Sequence, residues 1–168
     1  MAFAIDGNGK ALTSARSSMG HVLWASYVAE GRPHESILAS EYVTALRNRL
    51  LKPDLFVAQA GIRTLSSKSR HYNPVSYHNG SIWPHDTALL ADGLENFGYT
   101  EDAARVRRAL LRAYAHFNTP IELFAWDRGF KEYAHPNGSG ACKVQAWSAA
   151  GLLSVTSSIP VQGGELLS

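Results

Sequence analysis

Cysteine is nearly absent from this chain: Cys142 stands alone among 168 residues. One thiol excludes an internal disulfide framework and any cysteine-based zinc site, and it suits a reducing cytoplasm. Charge is scarce as well. Asp, Glu, Lys and Arg make up 18% of the chain, against about 25% in ordinary domains, and the net charge is only +2. That balance is too weak for a nucleic-acid partner. The one basic cluster, Arg105, Arg107, Arg108 and Arg112, reads as the solvated face of a helix. No apolar run approaches the ~18 residues of a membrane span, so no membrane partner is expected, and the first residues lack the apolar stretch of a secretion signal. A phosphate-binding loop, a dinucleotide fingerprint and a G-x-S-x-G nucleophile elbow are missing too. No cofactor is implied. With 45% apolar residues the chain can bury a core, and the expectation is a single domain over residues 1–168.

What the chain does have is concentrated between Tyr72 and Asp86. Aromatic rings, imidazoles, amides, a hydroxyl and a carboxylate share fifteen residues, stiffened by Pro74 and Pro84. Too many of these groups need hydrogen-bond partners for the segment to be core. Polar groups among flat aromatic surfaces suit a sugar, which offers hydroxyls to the one and C–H faces to the other. The same chemistry recurs at Glu122, Phe124 and Trp126 and again at Gln145 and Trp147.

Periodicity predicts about five helices joined by long polar loops. Met1 to Ile5 reads as a short strand entering a turn at Asp6 to Lys10, where Gly7 and Gly9 permit positive φ. Ser17 and Ser18 can cap a helix from Met19 to Ala29, broken by Gly31-Arg32-Pro33. A second helix is expected over Glu35–Leu51, with Ile37, Leu38, Tyr42, Leu46 and Leu50 as its stripe. Ile62 to Leu65 reads as extended. A third helix starts near Pro84, where the missing N–H is harmless, and stops at Gly98. A fourth begins with Thr100 as N-cap and buries Val106, Leu110, Tyr114 and Phe117; a fifth spans Val144–Val155.

Four blocks of this chain resemble the C-terminal part of the glycogen debranching enzyme (amylo-α-1,6-glucosidase) family. They are Ala4–Gly9 with Ser18–Trp24; Gly61-Ile62-Arg63-Thr64-Leu65-Ser66; the Tyr72–Asp86 block; and Ile121–Phe124 with Gln145-Ala146-Trp147. The resemblance implies an all-α fold with minor β: roughly half of an (α/α)6 toroid of six helical hairpins, its sugar site built from long loops at one end. It also implies inverting hydrolysis of α-glucosidic bonds in an α-glucan or a small α-glucoside. The family's general acid is an Asp in a Trp- and Arg-containing motif upstream of these blocks. The chain therefore reads as the catalytic-base half of such a domain, to be completed by an upstream half or by self-association, with little activity alone. A carbohydrate-binding or structural fragment without the acid is the alternative.

Inversion needs two carboxyls roughly 6.5–9.5 Å apart, an acid and a base that activates water. Glu122 is the expected base, with Leu123, Phe124 and Trp126 placed to desolvate it. Asp86 is an acid in a first helical turn, a hydroxyl ligand or the general acid. Tyr77, His78 and Gln145 are expected to bind hydroxyls. Of the tryptophans, Trp83 and Trp126 are the better stacking platforms, Trp147 is also a candidate, and at least one is expected in the core. His78, His85 and Asp86 match no compact metal motif, so no metal is expected. Arg63 is expected to pair with a buried carboxylate and His21 to be a satisfied core histidine.

Overall fold

The computed structural model describes residues 4–27 and 35–157. The expected break at Gly31-Arg32-Pro33 and the polar tail lie outside these residues. Alanine-, leucine- and arginine-rich stretches form the helices, and the loops between them carry small antiparallel pairs. Ala4–Ile5 (β1) pairs with Ala11–Leu12 (β2) through the expected turn, where Gly9 takes φ +77°.

The first helical segment is shorter than its sequence pattern suggests. A 3-10 turn at Ser17–Gly20 runs into His21–Trp24 (α1), and neither end carries a side-chain cap. Instead of continuing to Ala29, Ser26–Tyr27 (β3) pairs with Glu35–Ser36 (β4). Asn96 also donates to the Ser26 hydroxyl, so tertiary partners override local helix propensity there.

The second helix, Ser40–Leu50 (α2), starts five residues late. It buries Val43, Leu46 and Leu50, while Ile37 precedes the helix and Tyr42 faces outward. Leu46 and Leu50 are thus buried as expected, Leu38 packs against the core, and Val43 takes the place expected for Tyr42. Phe56–Val57 (β5) and Gly61–Ile62 (β6) form a hairpin that ends at Ile62, the first residue of the segment expected to be extended.

Pro84–Asn96 (α3) begins as expected, with Pro84 in the first turn. Its apolar face packs on α1, on Thr100–Phe117 (α4) and on Ala146–Ser157 (α5). Tyr99, not Thr100, is the N-cap of α4, and it makes no side-chain cap. Glu101 and Asp102 lie in the first turn as expected, and Asp102 accepts from the Arg47 guanidinium of α2. Val106, Leu110 and Tyr114 are buried, while Phe117 is half-buried. The loop after α4 carries a further hairpin, Phe124–Trp126 (β7) with Phe130–Glu132 (β8), which periodicity did not predict.

One arginine of the basic cluster is not solvated. Arg107 is 5% exposed and binds Asp92 and Glu95 of α3. Asp92 also accepts from the Ser154 hydroxyl of α5, so this single carboxylate ties three helices together. The buried cation needs those acids because an unpaired charge in the interior is costly.

α3 comes closest to α1 at Gly93. A Cβ there would stand 2.7 Å from the Trp24 nitrogen and 2.8 Å from the Leu23 Cβ. Gly93→Ala is therefore expected to destabilise the fold by about 1–3 kcal/mol through overpacking, despite the better helix propensity of alanine. Urea unfolding should show a lower midpoint at unchanged slope.

Candidate active site

Backbone pairing assembles the site. Ile82 and Phe124 exchange both N–H···O bonds, at 2.8 and 3.0 Å, and Arg63 bridges Ile82 on its other side. The Tyr72–Asp86 block therefore lies between Gly61–Thr64 and the strand that Glu122 precedes by two residues. The start of α5 is brought in by Gln145 N–H on the Pro120 carbonyl (3.0 Å) and by Ser148 Oγ on the Ile121 carbonyl (2.7 Å). A cavity of 530 Å³ opens at this junction, within the range of about 300–1,000 Å³ usual for small-molecule sites. Six of the seven predicted substrate-binding residues line it together with Glu122: Tyr77, His78, Trp83, Asp86, Gln145 and Trp147.

Glu122 is held by two donors. The Tyr77 hydroxyl donates to its Oε1 at 2.5 Å and the Cys142 N–H to its Oε2 at 2.9 Å. The apolar neighbours do not wrap it. Leu123 and Phe124 point into separate buried clusters, and Glu122 itself is only half-buried. Partial burial, then the Glu122 hydrogen bond and charge, push the Tyr77 phenol up to about 12, so it stays a donor.

Of the three candidate tryptophans, Trp83 and Trp147 line the cavity and Trp126 does not. Trp83 is 7% exposed and packs with Leu123 and Tyr133, donating its indole N–H to the Tyr77 carbonyl at 3.0 Å. His78 stacks on it at 5.3 Å between ring centroids. Trp126 does not join the cavity: it packs edge-on against Phe130 beside the Val57–Phe124 cluster. Trp147, at 63% exposed, is the open aromatic surface at the rim. The reason is geometric. β7 is enclosed along its length, with Phe124 and Ala125 buried and Trp126 packed on Phe130, whereas α5 meets α3 and α4 with its small and aliphatic residues.

Asp86 sits in the first turn of α3, as expected for that position. Its Oδ1 lies 2.5 Å from His21 Nε2. His21 is thus not a core histidine. Its side chain is 44% exposed, it lines the cavity, and its hydrogen bond to Asp86 raises its pKa against the opposing effect of burial. The neighbouring His85 moves the other way. Burial lowers its pKa despite the nearby carboxylates, so it is the neutral imidazole of the pair. Arg16 donates to the His78 carbonyl and Asn79 Oδ1, at 3.0 and 3.1 Å, and pins the loop.

Arg16, Ser17, Ser18, His21 and Thr64 are the wall residues that sequence reasoning left without a site role; the Ser18–Trp24 block held the signal for His21. Arg63 finds no carboxylate: its Nη1 donates to the Pro53 carbonyl, and Asp54 is taken by Arg49 and Ser66. The Gln145 Oε1 atom is buried without a partner. Among the described residues, no three His, Cys, Asp or Glu side chains come together as metal ligands, and no helix is long and apolar enough to cross a membrane.

A family model for the mannosylglycerate hydrolase MGH1-like glycoside hydrolase domain matches residues 2–149. The chain belongs to this glycoside hydrolase family. The match takes in every cavity residue, from Arg16 to Trp147. No curated protein matches the chain. For a glycoside hydrolase domain, the cavity supplies carboxylates in two different settings. Glu122 is bound by uncharged donors, and Asp86 is bound by an ionisable histidine.

That histidine makes stability depend on pH. Protonated His21 gains Asp86 only in the folded chain, so the pair's stabilisation is fully present below the ordinary histidine value of 6.5. It is lost as pH rises through the raised folded value. Denaturant unfolding from about pH 5 to about pH 9 should show a gap between wild type and His21→Gln that narrows toward the alkaline end. A gap of constant size would show that the ion pair contributes nothing.

Proposed function

We propose that this chain supplies the general base and the sugar-binding loops of an inverting α-glycosidase, with Glu122 as the base. The observation that carries the reading is the convergence of Glu122 with Tyr77, His78, Gln145 and Trp147 on one cavity in a chain of a glycoside hydrolase family. In the reaction, Glu122 takes a proton from the water that attacks the anomeric carbon, while a carboxylic acid on the opposite side protonates the leaving oxygen. Trp147 stacks on a sugar C–H face, and Gln145, His78 and Asp86 receive hydroxyls.

The acid is the open role. Asp86 is engaged by His21, and Asp127 on the β7–β8 turn is engaged by Lys131. We place the acid outside the described residues, in an upstream half that completes a toroid of helical hairpins. Val144 and Leu153, both strongly exposed around α5, support an apolar face that is covered in the assembled protein. The isolated chain should therefore self-associate; a monodisperse monomer in light scattering would count against an uncovered half toroid.

By the debranching resemblance, the substrate is an α-glucan or a small α-glucoside. The family's description favours a second reading, a small glycoside carrying a carboxylate such as mannosylglycerate. Arg16 and His21 on the cavity wall would suit that anion. The test is hydrolysis of α-glucan, an aryl α-glucoside and mannosylglycerate, by the chain alone and by the chain with a matching N-terminal half. The chain alone should be nearly inactive. In the assembled pair, Glu122→Gln should reduce turnover by about 10²–10⁴-fold. Robust turnover by the chain alone would shift the acid to Asp86 or Asp127. Full activity of Glu122→Gln would remove Glu122 from the mechanism.

A further inference from the structure

Tyr77 was expected to bind a sugar hydroxyl, and its geometry suits another task. A phenol has one proton to donate, and Tyr77 spends it on Glu122 Oε1 at 2.5 Å. Its backbone is pinned, because its carbonyl accepts from the Ser81 hydroxyl at 2.7 Å and from the Trp83 indole at 3.0 Å. Its ring is wedged edge-on against three others: His78 at 4.6 Å, Trp83 at 4.9 Å and Tyr133 at 5.5 Å. These contacts fix where the phenol oxygen stands. The second Glu122 oxygen is fixed from the opposite flank by the Cys142 amide, and Glu122 N–H returns a bond to the Cys142 carbonyl at 2.9 Å.

We propose that Tyr77 is a positioning residue, whose hydroxyl together with the Cys142 amide sets the orientation of the Glu122 carboxylate. This inference rests on the reading of Glu122 as the base. Each carboxylate oxygen keeps lone-pair capacity beyond its one donor, so both are steered while one remains able to accept a proton from water. Inversion makes such steering matter, because the attacking water must lie on one defined face of the sugar and its proton must point at the base. A half-buried glutamate without the two donors would be free to change rotamer in an open pocket. The high value of Tyr77 fits the role, since a proton on the phenol must survive through the working pH range.

The test begins without any turnover. Intact chain carrying ¹³Cζ-labelled tyrosine is titrated by NMR, with Tyr77→Phe identifying the resonance. Removing the opposing carboxylate in Glu122→Gln should bring the onset of the Tyr77 titration to lower pH, while Asp86→Asn leaves it in place. An identical Tyr77 titration in wild type and Glu122→Gln would overturn the proposal. The second measurement is kinetic, on the assembled hydrolase. Tyr77→Phe should lower kcat by about 10²-fold with KM within about twofold, the pattern of a misplaced base. A raised KM with kcat retained would make Tyr77 a sugar ligand and overturn the proposal. Should no preparation hydrolyse any glycoside while the NMR shift on Glu122→Gln persists, the hydrolase reading fails and the Tyr77–Glu122 contact stands.

Discussion

The paired backbone bonds between Ile82 and Phe124 are the constraint on which the rest of the site depends. They join segments 42 positions apart in a chain whose strands are only two or three residues long. On one side of Ile82 stands Tyr77, and immediately beyond it are Trp83, Pro84 and Asp86. Two residues before Phe124 stands Glu122. Ile82 and Phe124 are both wholly buried, so the bonds are shielded from water and competition with solvent is removed. Slippage by one residue would turn Glu122 away from the cavity and put Leu123 in its place.

That junction is supported from beneath by charge. Arg107, Asp92, Glu95 and the Ser154 hydroxyl join α3, α4 and α5 at positions well away from the cavity. α3 carries Asp86 at one end and this network further along, and α5 carries Trp147 in its first turn. The cluster thus sets how the helix that presents Asp86 lies against the helix that presents Trp147. A buried cation with two acids is a costly way to stabilise a fold, but it specifies one arrangement of its partners. Apolar packing alone would do that less well here, since α5 is apolar on nearly every face.

The parts of the fold that were legible in the sequence are those written locally. Pro84 marks the start of α3, Gly98 at φ +77° follows its end, and Glu101 and Asp102 mark the first turn of α4. The candidate site was legible because unusual chemistry is crowded into Tyr72–Asp86. What failed was anything decided across the chain. His21 and Asp86 meet across 65 positions, and no spacing rule reports that. In the expected α2 stripe Leu46 and Leu50 are buried, but Ile37 and Tyr42 are apolar yet exposed, a choice made by neighbours. Strands of three residues are too short to show alternation, so the β7–β8 hairpin left no periodic trace. Its consequence was that Trp126, expected at the cavity, packs on Phe130 instead.

The two carboxylates of the cavity show why placement alone does not assign a role. Glu122 and Asp86 line one pocket, and each accepts a bond of 2.5 Å. Their partners differ in kind. A phenol with a raised pKa and a backbone amide are neutral donors, so neither group bonded to Glu122 competes for its proton. His21 is ionisable and its pKa is raised by the contact, so Asp86 sits beside a group that can itself hold or release a proton. His85, kept neutral by burial, stands next to both and adds no second cation. A pocket with one carboxylate among neutral donors and another in an ion pair has separated two tasks that identical side chains would otherwise share. For a glycoside hydrolase domain, the first arrangement suits the group that activates water. The second suits a group that orients the helix end and the sugar beside it.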